Sequence, residues 1–514
     1  MRKLIVITAA LISIAISLHA ETTRRRYLVA TKRPFREEAL GKRDYARFEG
    51  GYAVELSDDE AQELAATSGV RYVEPDVERF VFAAPSPHLD VAQITPWSVN
   101  SIRAPSVWPL TRGEGVRVGI IDTGIDLRHP DLHAAYRGGY DFVHNDSMPE
   151  EEAEGGALGH GTRMAGIIAA SDNGFGLVGA APGVELYVLK IFPKSGGALT
   201  SNVIRAVEWA IEQKLDVLSC SFGGDTPSKL EEEVYARARR ANVLVIGAVG
   251  NDASWVRYPA AYPSVVGVGA TDRARRIASF SNTGAEVDFV APGVDVVSTM
   301  ISGRGGIGSV TLDDGTSFSA HPFIGSKSGT VAGMAVDCGY GRVTDFPSDA
   351  SANIAIVQRD GMSIPAKAVN AVAAHAAGVV LVNSALEDGP VRGSLGLGDV
   401  EWPVAVSVSA QTGEIIRERA ASVVVDAYVT DYEAADGASM SAPHVAAVAA
   451  LIRALRPDLS ADEVVALLAS TAVDLGDAGR DPLFGYGLVD AYAAAAAAVP
   501  ERIPATKRRR SAGH

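Results

Sequence analysis

The chain has 514 residues, of which 47% are hydrophobic and 21% are charged, and this composition excludes a disordered or fibrous protein. Its length exceeds that of one ordinary domain. The formal net charge of −15 argues against nucleic acid as the main partner and is compatible with a protein that binds cations.

The N-terminal twenty residues have the pattern of a secretory signal peptide. Arg2 and Lys3 precede an almost entirely apolar run over 4–17, and the small residue Ala20 stands before the polar Glu21. The run is short for a membrane span, so a cleaved signal (1–20) is favoured over an uncleaved anchor, which remains the alternative. We therefore expect a secreted protein, extracellular or periplasmic, that has no membrane contact after the signal is removed.

The next segment, 26–81, predicts a small α/β module. Residues 26–30 and 69–74 are strand-like, and 57–66 have helical periodicity. A linker that contains proline and alanine follows at 83–88.

From about Gly115 onward, short apolar runs alternate with helical patterns. The apolar runs lie at 116–121, 186–191, 217–222 and 243–248, and the helical patterns between them at 202–213 and 228–241. Strands that are buried on both faces and separated by helices predict an α/β fold with a doubly wound, mostly parallel sheet. In such sheets, chemistry gathers at the carboxyl ends of the strands. We assign 88–303 to the first part of this domain.

Residues 304–430 interrupt this pattern with a strand–helix–strand unit of their own, at 354–358, 364–376 and 379–382. We predict an inserted domain here, with the main domain resuming over 431–497. Its long apolar helix runs over 440–455, and the next one begins at Ser460 with Glu463 in the position of a capping box. The basic stretch at 498–514 predicts a solvated, disordered tail.

Three residues in this pattern could carry chemistry, although each has an ordinary structural interpretation. Asp122 ends an apolar strand before a glycine turn, where an aspartate is often only a turn former. His160 lies between two glycines, which suggests a ring that another molecule must reach. Ser439 opens a helix, where it could be a nucleophile facing the helix dipole or an ordinary N-cap serine.

A second serine, Ser317, stands in a similar local sequence. The residues after it, His321 and Pro322 among them, cannot start a long buried helix, whereas Ser439 leads directly into one. Ser439 is therefore the favoured nucleophile and Ser317 the alternative.

Together these motifs resemble those of the subtilisin family, whose triad has the same order along the chain. The matching stretches are Asp122-Thr123-Gly124, His160-Gly161-Thr162, Ser439-Met440-Ser441-Ala442-Pro443 and Gly247-Ala248-Val249-Gly250-Asn251. The resemblance implies a serine endopeptidase that works through an acyl-enzyme. Ser439 would be the nucleophile, His160 the general base and acid, and Asp122 the residue that orients His160.

The same resemblance assigns further site residues. Asn251 would bind the oxyanion, and peptide substrate would pair with Ser195, Gly196, Gly197, Ser221, Phe222 and Gly223. Arg257 would lie near the primary specificity pocket and favour an acidic side chain. One departure is Ala438, where the family usually has threonine. It leaves open an alternative in which the chain is a weakened homologue that acts as a binding or adhesion protein through its insert.

A structural Ca²⁺ is also implied, with hard oxygen ligands from six residues: Gln93, Asp131, Ser171, Asn173, Phe175 and Leu177. A polar loop that needs no metal is the alternative. If calcium binds, it should stabilise the native state by mass action.

Two flanking regions resemble known modules of this family. Residues 26–81 resemble the inhibitory propeptide, an intramolecular partner that the enzyme itself would remove between about Phe80 and Ala92. The insert resembles the protease-associated (PA) domain. The expected other partners are protein or peptide substrates. Of the two cysteines, Cys220 lies in an apolar run and is expected to be a buried free thiol.

Overall fold

The structure is a computed structural model that describes residues 24–32, 40, 45–81, 84–86, 93–152, 159–323, 326–384, 391, 395 and 402–502. The predicted signal peptide and most of the predicted basic tail lie outside these residues. The chain divides into two compact units, Met1–Val77 and Glu78–His514, and each is described by itself.

The N-terminal unit is a four-stranded antiparallel sheet with one helix. In chain order its elements are β1 (Arg25–Thr31), β2 (Tyr45–Phe48), β3 (Gly51–Leu56), α1 (Asp58–Ala65) and β4 (Val70–Pro75), and the sheet order is β2-β3-β1-β4. A capping box starts α1, because the Ser57 hydroxyl accepts from the Glu60 amide and the Glu60 carboxylate accepts from the Ser57 amide. The sequence predicted β1, α1 and β4 and missed the hairpin of β2 and β3.

The second unit contains a seven-stranded sheet in the order β15-β14-β13-β11-β7-β9-β8, and every neighbouring pair is parallel. The strands are β7 (Arg117–Asp122), β8 (Tyr136–Asp141), β9 (Glu185–Lys190), β11 (Val217–Cys220), β13 (Leu244–Ala248), β14 (Val265–Thr271) and β15 (Val287–Pro292). Every residue of β11, β13 and β14 is buried, so the sheet is covered on both faces. The predicted parallel α/β sheet is confirmed.

The helices of this unit separate the strands and cover the sheet. They are α2 (Trp97–Ser101), α3 (His160–Ala169), α4 (Thr200–Glu212), α5 (Lys229–Arg240), α8 (Ala438–Leu455), α9 (Ala461–Thr471) and α10 (Ala491–Ala498). Helix α8 packs on α3 and on five strands of the sheet. It is the one described helix that is long and apolar enough to cross a membrane, yet 94% of its apolar window is buried inside the protein, which identifies it as a core helix.

Two small sheets lie beside the main one. In the first, β5 (Glu78–Val81) lies between β10 (Ala198–Leu199) and β12 (Phe222–Gly223). In the second, β24 (Tyr432–Asp436) lies between β16 (Val296–Thr299) and β6 (Ala84–Ser86). Both are antiparallel. The apolar run predicted as one strand over 217–222 is thus divided between β11 of the main sheet and β12 of this smaller one.

The predicted insert is a closed barrel of seven strands in the order β17-β18-β22-β21-β20-β19-β23. Its elements are β17 (Gly305–Leu312), β18 (Ser317–Pro322), β19 (Gly329–Asp337), β20 (Ile354–Gln358), α6 (Ile364–Ala373), β21 (Gly378–Val382), β22 (Val404–Val408), α7 (Ala410–Arg419) and β23 (Ser422–Thr430). The strand–helix–strand unit predicted from the sequence corresponds to β20, α6 and β21.

Both cysteines are buried and free, as expected for Cys220. Burial raises the pKa of each thiol, and for Cys338 the pKa reaches about 12. Neither group can be an ionised nucleophile near neutral pH.

Candidate active site

Asp122 and His160 meet in the core at the carboxyl end of β7. His160 Nδ1 lies 2.8 Å from Asp122 Oδ1, and both side chains are fully buried. Because the carboxylate accepts, Nδ1 carries the hydrogen of a neutral imidazole and Nε2 carries the lone pair. Nε2 is buried and has no hydrogen-bond partner among the described residues, so this arrangement leaves a base available on the side opposite Asp122.

Close backbone approach fixes the two elements that hold this pair. The Asp122 carboxylate accepts from the Thr123 amide at 2.7 Å, and the Thr123 hydroxyl accepts from the Gly161 amide at 2.8 Å. A Cβ atom at Gly161 would lie 2.2 Å from the Gly124 carbonyl oxygen. The glycine after the histidine is therefore required for helix α3 to approach the end of β7.

Ser439 is the second residue of helix α8 and is fully buried. Its carbonyl oxygen accepts from the Ser221 hydroxyl at 2.9 Å, which connects the start of α8 to the residue before β12. Since α8 packs on α3, the helices that carry Ser439 and His160 are direct neighbours. Ser317 instead starts β18 of the barrel, is exposed, and accepts from the Thr311 hydroxyl.

Asn251 lies beside the start of α8. Its side-chain oxygen accepts from the Ala438 amide at 2.7 Å. This contact fixes the orientation of the amide group, because only the oxygen can accept. The Nδ2 group is thereby left as the donor, which is the role required at an oxyanion site.

A second histidine, His444, is buried on the same helix. Its Nδ1 donates to the Met440 carbonyl at 2.8 Å, and burial lowers its pKa to about 4. The ring is therefore neutral at physiological pH. Its partner lies within the helix, so His444 belongs to the core packing of α8.

Strand β5 pairs next to both segments for which substrate binding is predicted. Strand β12 pairs with β5 in the register Phe222 to Val81 and Gly223 to Phe80, which brings two of the predicted substrate-binding residues to an extended strand. On the opposite side the pairing residues are Ala198 and Leu199. The predicted Ser195, Gly196 and Gly197 come just before them and do not form the ladder, because β10 begins only at Ala198.

Arg257 is engaged by two carboxylates rather than open to a substrate. Its guanidinium forms short ion pairs with Asp225 and Asp252 and stacks 4.3 Å from the Trp255 ring centroid. The two aspartates outweigh its single positive charge. The expected preference for an acidic side chain therefore has no electrostatic basis in this arrangement.

Glu151 is a residue near the site that the sequence did not indicate, and it contacts Thr123, the residue after Asp122. Its Oε1 accepts from the Thr123 hydroxyl at 2.8 Å, and its Oε2 is buried with no partner among the described residues. Burial and the negative charge of Asp122 raise the Glu151 pKa to about 8. The run of three glutamates at 150–152 does not indicate which of them has a buried carboxylate oxygen.

Glu151 should make stability depend on pH. The unfolded carboxyl releases its proton near its ordinary pKa, whereas the folded one keeps it to about pH 8, so stability falls as the pH rises across this window. Each unit of difference between the folded and unfolded pKa changes the free energy of unfolding by about 1.4 kcal/mol. We expect Glu151→Gln to raise the melting temperature by several degrees at pH 8–9 and to leave it unchanged at pH 4.

The control is Glu150→Gln, which changes an exposed neighbour. Thermal melts of both variants and the wild type across pH 4–9 test this prediction. It fails if Glu151→Gln follows the wild-type pH dependence.

The predicted calcium ligands converge on one loop cluster. Asp131 accepts from Asn173 Nδ2 at 2.7 Å, from the Leu177 amide at 3.0 Å and from the Tyr432 hydroxyl at 2.9 Å. Gln93 Nε2 donates to the Ser171 carbonyl at 3.3 Å. The Phe175 amide donates to Asn173 Oδ1, so all six predicted residues belong to the cluster.

The chemistry of this cluster fits a hard cation. It offers one carboxylate, two carboxamide oxygens and backbone carbonyls, which are the ligands that Ca²⁺ prefers. The described residues contain no group of three or more histidine, cysteine or acidic side chains that could hold a metal.

Comparison with known proteins gives a consistent result. The sequence profile of the subtilase family matches residues 113–332 and 350–487, and that of the peptidase inhibitor I9 family matches 9–81. Subtilisin E of Bacillus subtilis is 34% identical over 305 residues, which is 55% of this chain and 76% of that protein. The intracellular serine protease of Paenibacillus polymyxa is 40% identical over 41% of this chain and 66% of that protein.

Solved structures agree with these sequence matches. The psychrophilic subtilisin-like protease Apa1 from Pseudoalteromonas sp. AS-11 has a TM-score of 0.56 and 28% identity, covering 80% of this chain and 99% of that one. Fervidolysin from Fervidobacterium pennivorans, a keratinolytic enzyme, has a TM-score of 0.61 and 22% identity over 93% of this chain and 62% of that one, which shows a shared fold.

Proposed function

Because this chain belongs to the subtilase family of serine endopeptidases, we propose that it hydrolyses peptide bonds through an acyl-enzyme formed on Ser439. His160 Nε2 takes the proton from the Ser439 hydroxyl as its oxygen attacks the substrate carbonyl carbon. Asn251 Nδ2 and the Ser439 amide stabilise the resulting oxyanion. His160 then gives the proton to the leaving amine, and a water molecule repeats the sequence to release the acid.

The observation that carries this proposal is the Asp122–His160 hydrogen bond of 2.8 Å between two fully buried side chains. It orients the ring and directs a basic nitrogen away from the carboxylate. The contact of Asn251 with the residue before Ser439 supports the oxyanion role independently. The relatives are proteases, and they give no support to the alternative of a non-catalytic binding or adhesion protein.

A fluorophosphonate probe, which reacts with an activated serine, tests the nucleophile assignment. The mature wild-type protein and Ser317→Ala should be labelled, and Ser439→Ala should not. If Ser317→Ala is the variant that loses labelling, the assignment to Ser439 is wrong.

We also propose that the enzyme removes its own propeptide between Val81 and Ala84. Strand β5 ends at Val81, paired with β12 beside Ser221, whose hydroxyl reaches the Ser439 carbonyl. Strand β6 begins at Ala84, paired with β24 directly before the start of α8. The two connecting residues, Phe82 and Ala83, lie outside the described residues. Chain on both sides of this connection is thus held as strand beside the candidate nucleophile.

The family assignment supports several further proposals on organisation. Residues 26–81 serve as the inhibitory propeptide of a secreted zymogen, in agreement with the I9 match. The catalytic domain spans 88–303 and 431–497, and the barrel between them is of the PA type. The expected partners are peptide or protein substrates, with no role for nucleic acid or for a membrane after export.

Calcium is proposed as a structural cofactor of the Asp131 cluster. Burial and the charge of Asp131 raise the Tyr432 pKa, so this phenol remains a donor that orients the carboxylate. Gln93, Asp131 and Asn173 would contribute side-chain oxygens, and Ser171, Phe175 and Leu177 would contribute carbonyls. A bound ion would tie the chain near residue 93 to the loop after α3.

We expect a calcium chelator to lower the melting temperature of the wild type by several degrees, since a ligand at a hundred times its Kd contributes about 2.7 kcal/mol. Asp131→Asn should melt at the lower temperature with or without chelator. Asp172→Asn is the matched control, because its carboxylate pairs with Arg112 at 2.5 Å and it should keep the chelator response. An unchanged wild-type melt on chelation would remove the calcium proposal.

A further inference from the structure

A buried charge cluster connects the inserted barrel to the elements that carry the proposed triad. Arg163 Nη1 donates to Glu433 Oε2 at 2.7 Å, and the other carboxylate oxygen makes a very short contact with His321 Nε2. The Arg163, Glu433 and His321 side chains are 2%, 1% and 9% exposed. Removing Glu433 from this set would leave the buried Arg163 guanidinium without this ion pair, which is strongly destabilising.

Each member comes from a different functional element. Arg163 lies one turn after His160 on α3, and Glu433 lies on β24, which leads through a glycine to Ser439. His321 belongs to β18 of the barrel. The ion pair therefore ties the helix of the proposed base to the strand that precedes the proposed nucleophile, and the barrel contributes the third group.

Strand β16 adds to the same arrangement. It pairs with β24, and two of its hydroxyl groups bond to the backbone of α3. Ser298 donates to the Arg163 carbonyl at 2.7 Å, and Thr299 donates to the Thr162 carbonyl at 2.7 Å. A shift of β24 would thus be transmitted to the helix that carries His160.

The contacts of His321 define its protonation state. Nδ1 lies 2.7 Å from the Pro322 carbonyl oxygen, and Nε2 contacts the Glu433 carboxylate. Both neighbours are acceptors, and a neutral imidazole has a single N–H. Either neutral tautomer would place a lone pair against an oxygen, so the imidazolium is the form that donates on both sides.

The charged and titratable groups near the ring come from the elements packed against β18. Glu433 faces the ring from β24, with Arg163 of α3 on the far side of the carboxylate. Strand β17 and strand β6 contain no titratable residue. On β22, the residue paired with His321 is Ser407, and its hydroxyl donates to the Val391 carbonyl. On β23, the Asp426 carboxylate accepts from the hydroxyls of Ser309 and Thr330.

We propose that protonated His321 is a positioning residue for peptide hydrolysis. It holds the Glu433 carboxylate in place, and Glu433 in turn fixes the position of α3 relative to β24. The inserted barrel would then support the triad only while this ring is charged. Deprotonation removes one of the ring's two hydrogen bonds and weakens the contact that the barrel makes with Glu433. This inference rests on the proposed function, because the effect is read out through turnover at Ser439.

The test compares pH profiles of kcat and KM for mature wild type, His321→Gln and His375→Gln over pH 5.5–9.5. His375 is an exposed histidine of the same barrel and serves as the matched control. We expect His321→Gln to lower kcat about five- to tenfold at pH 6, as small misplacements of reacting groups do. The deficit should vanish toward pH 9.5 with KM unchanged, and His375→Gln should match the wild type.

If the ratio of wild-type kcat to His321→Gln kcat is above one and the same at every pH, the role of His321 is purely structural and the proposal is overturned. If this ratio is one at every pH, His321 has no role in turnover and the proposal is likewise overturned. Should His321→Gln fail to mature, ¹⁵N NMR of the Ser439→Ala precursor measures the His321 ring directly. A protonated ring at pH 7 supports the proposal and a neutral ring overturns it. Failure of the proposed function is distinguishable, because it would appear as hydrolysis that persists in Ser439→Ala.

Discussion

Replacing Ser439 with alanine is expected to lower kcat by about 10⁶-fold, the magnitude known for loss of the nucleophile in subtilisin. The variant keeps Asp122, His160 and the oxyanion donors but has no oxygen that could form the acyl-enzyme. The chain should also remain a full precursor, because removal of its propeptide would use the same site. Turnover of a peptide substrate and mass spectrometry of the purified chain measure the two effects.

Misfolding is excluded by a thermal melt of the Ser439→Ala precursor, which should show the cooperative transition of a folded protein. The wild-type chain should be cut between Val81 and Ala84, because β5 pairs with β12 beside Ser221 and β6 pairs with β24 directly before the start of α8. A Ser439→Ala precursor that matures without added enzyme would show that Ser439 is not the nucleophile. A different cut position would contradict the processing proposal and leave the nucleophile assignment intact.

The second large effect is expected at Asn251. Its oxygen is already used by the Ala438 amide at 2.7 Å, so the catalytic contribution must come from Nδ2. Asn251→Asp keeps the acceptor for Ala438 and replaces the donor with a negatively charged oxygen. We expect kcat to fall about 10²–10³-fold, the range for loss of one oxyanion donor, while KM changes little.

Asn282→Asp is the control for Asn251→Asp, because Asn282 is a structural amide in the same region. Its oxygen accepts from the amides of Asp252 and Ser254, and its Nδ2 donates to the Trp255 carbonyl. This control should lower the melting temperature and change kcat far less. If Asn251→Asp retains kcat within about threefold, where a lost donor costs at least 10², Asn251 does not serve the oxyanion.

The elements around the candidate site could be read from the sequence because their signals are local. Apolar runs bounded by glycine predicted the strand that ends at Asp122, and the small residues around His160 allowed close packing of a helix start. Ser460 and Glu463 form the predicted capping box, since such caps depend on residues only three positions apart.

Strand pairing was less predictable because partners far apart in the chain decide it. The run at 217–222 looks like one buried strand, yet β11 pairs with the main sheet and β12 pairs with β5 near residue 80. For the same reason the ladder on the other side of β5 falls at Ala198 and Leu199 and not at the predicted 195–197. The hydrophobicity of a segment does not indicate which distant strand it will pair with.

By itself, the sequence determined the parallel α/β fold and the three candidate catalytic residues, because buried strands and glycine-flanked motifs leave local patterns. Only the tertiary structure decided which charged side chains lose their water and which groups they meet. Among the glutamates, it buries the Oε2 atom of Glu151 near Thr123 and places Glu433 between Arg163 and His321. The ionisation of these groups depends on burial and on charges contributed by distant segments, so no local pattern could reveal it.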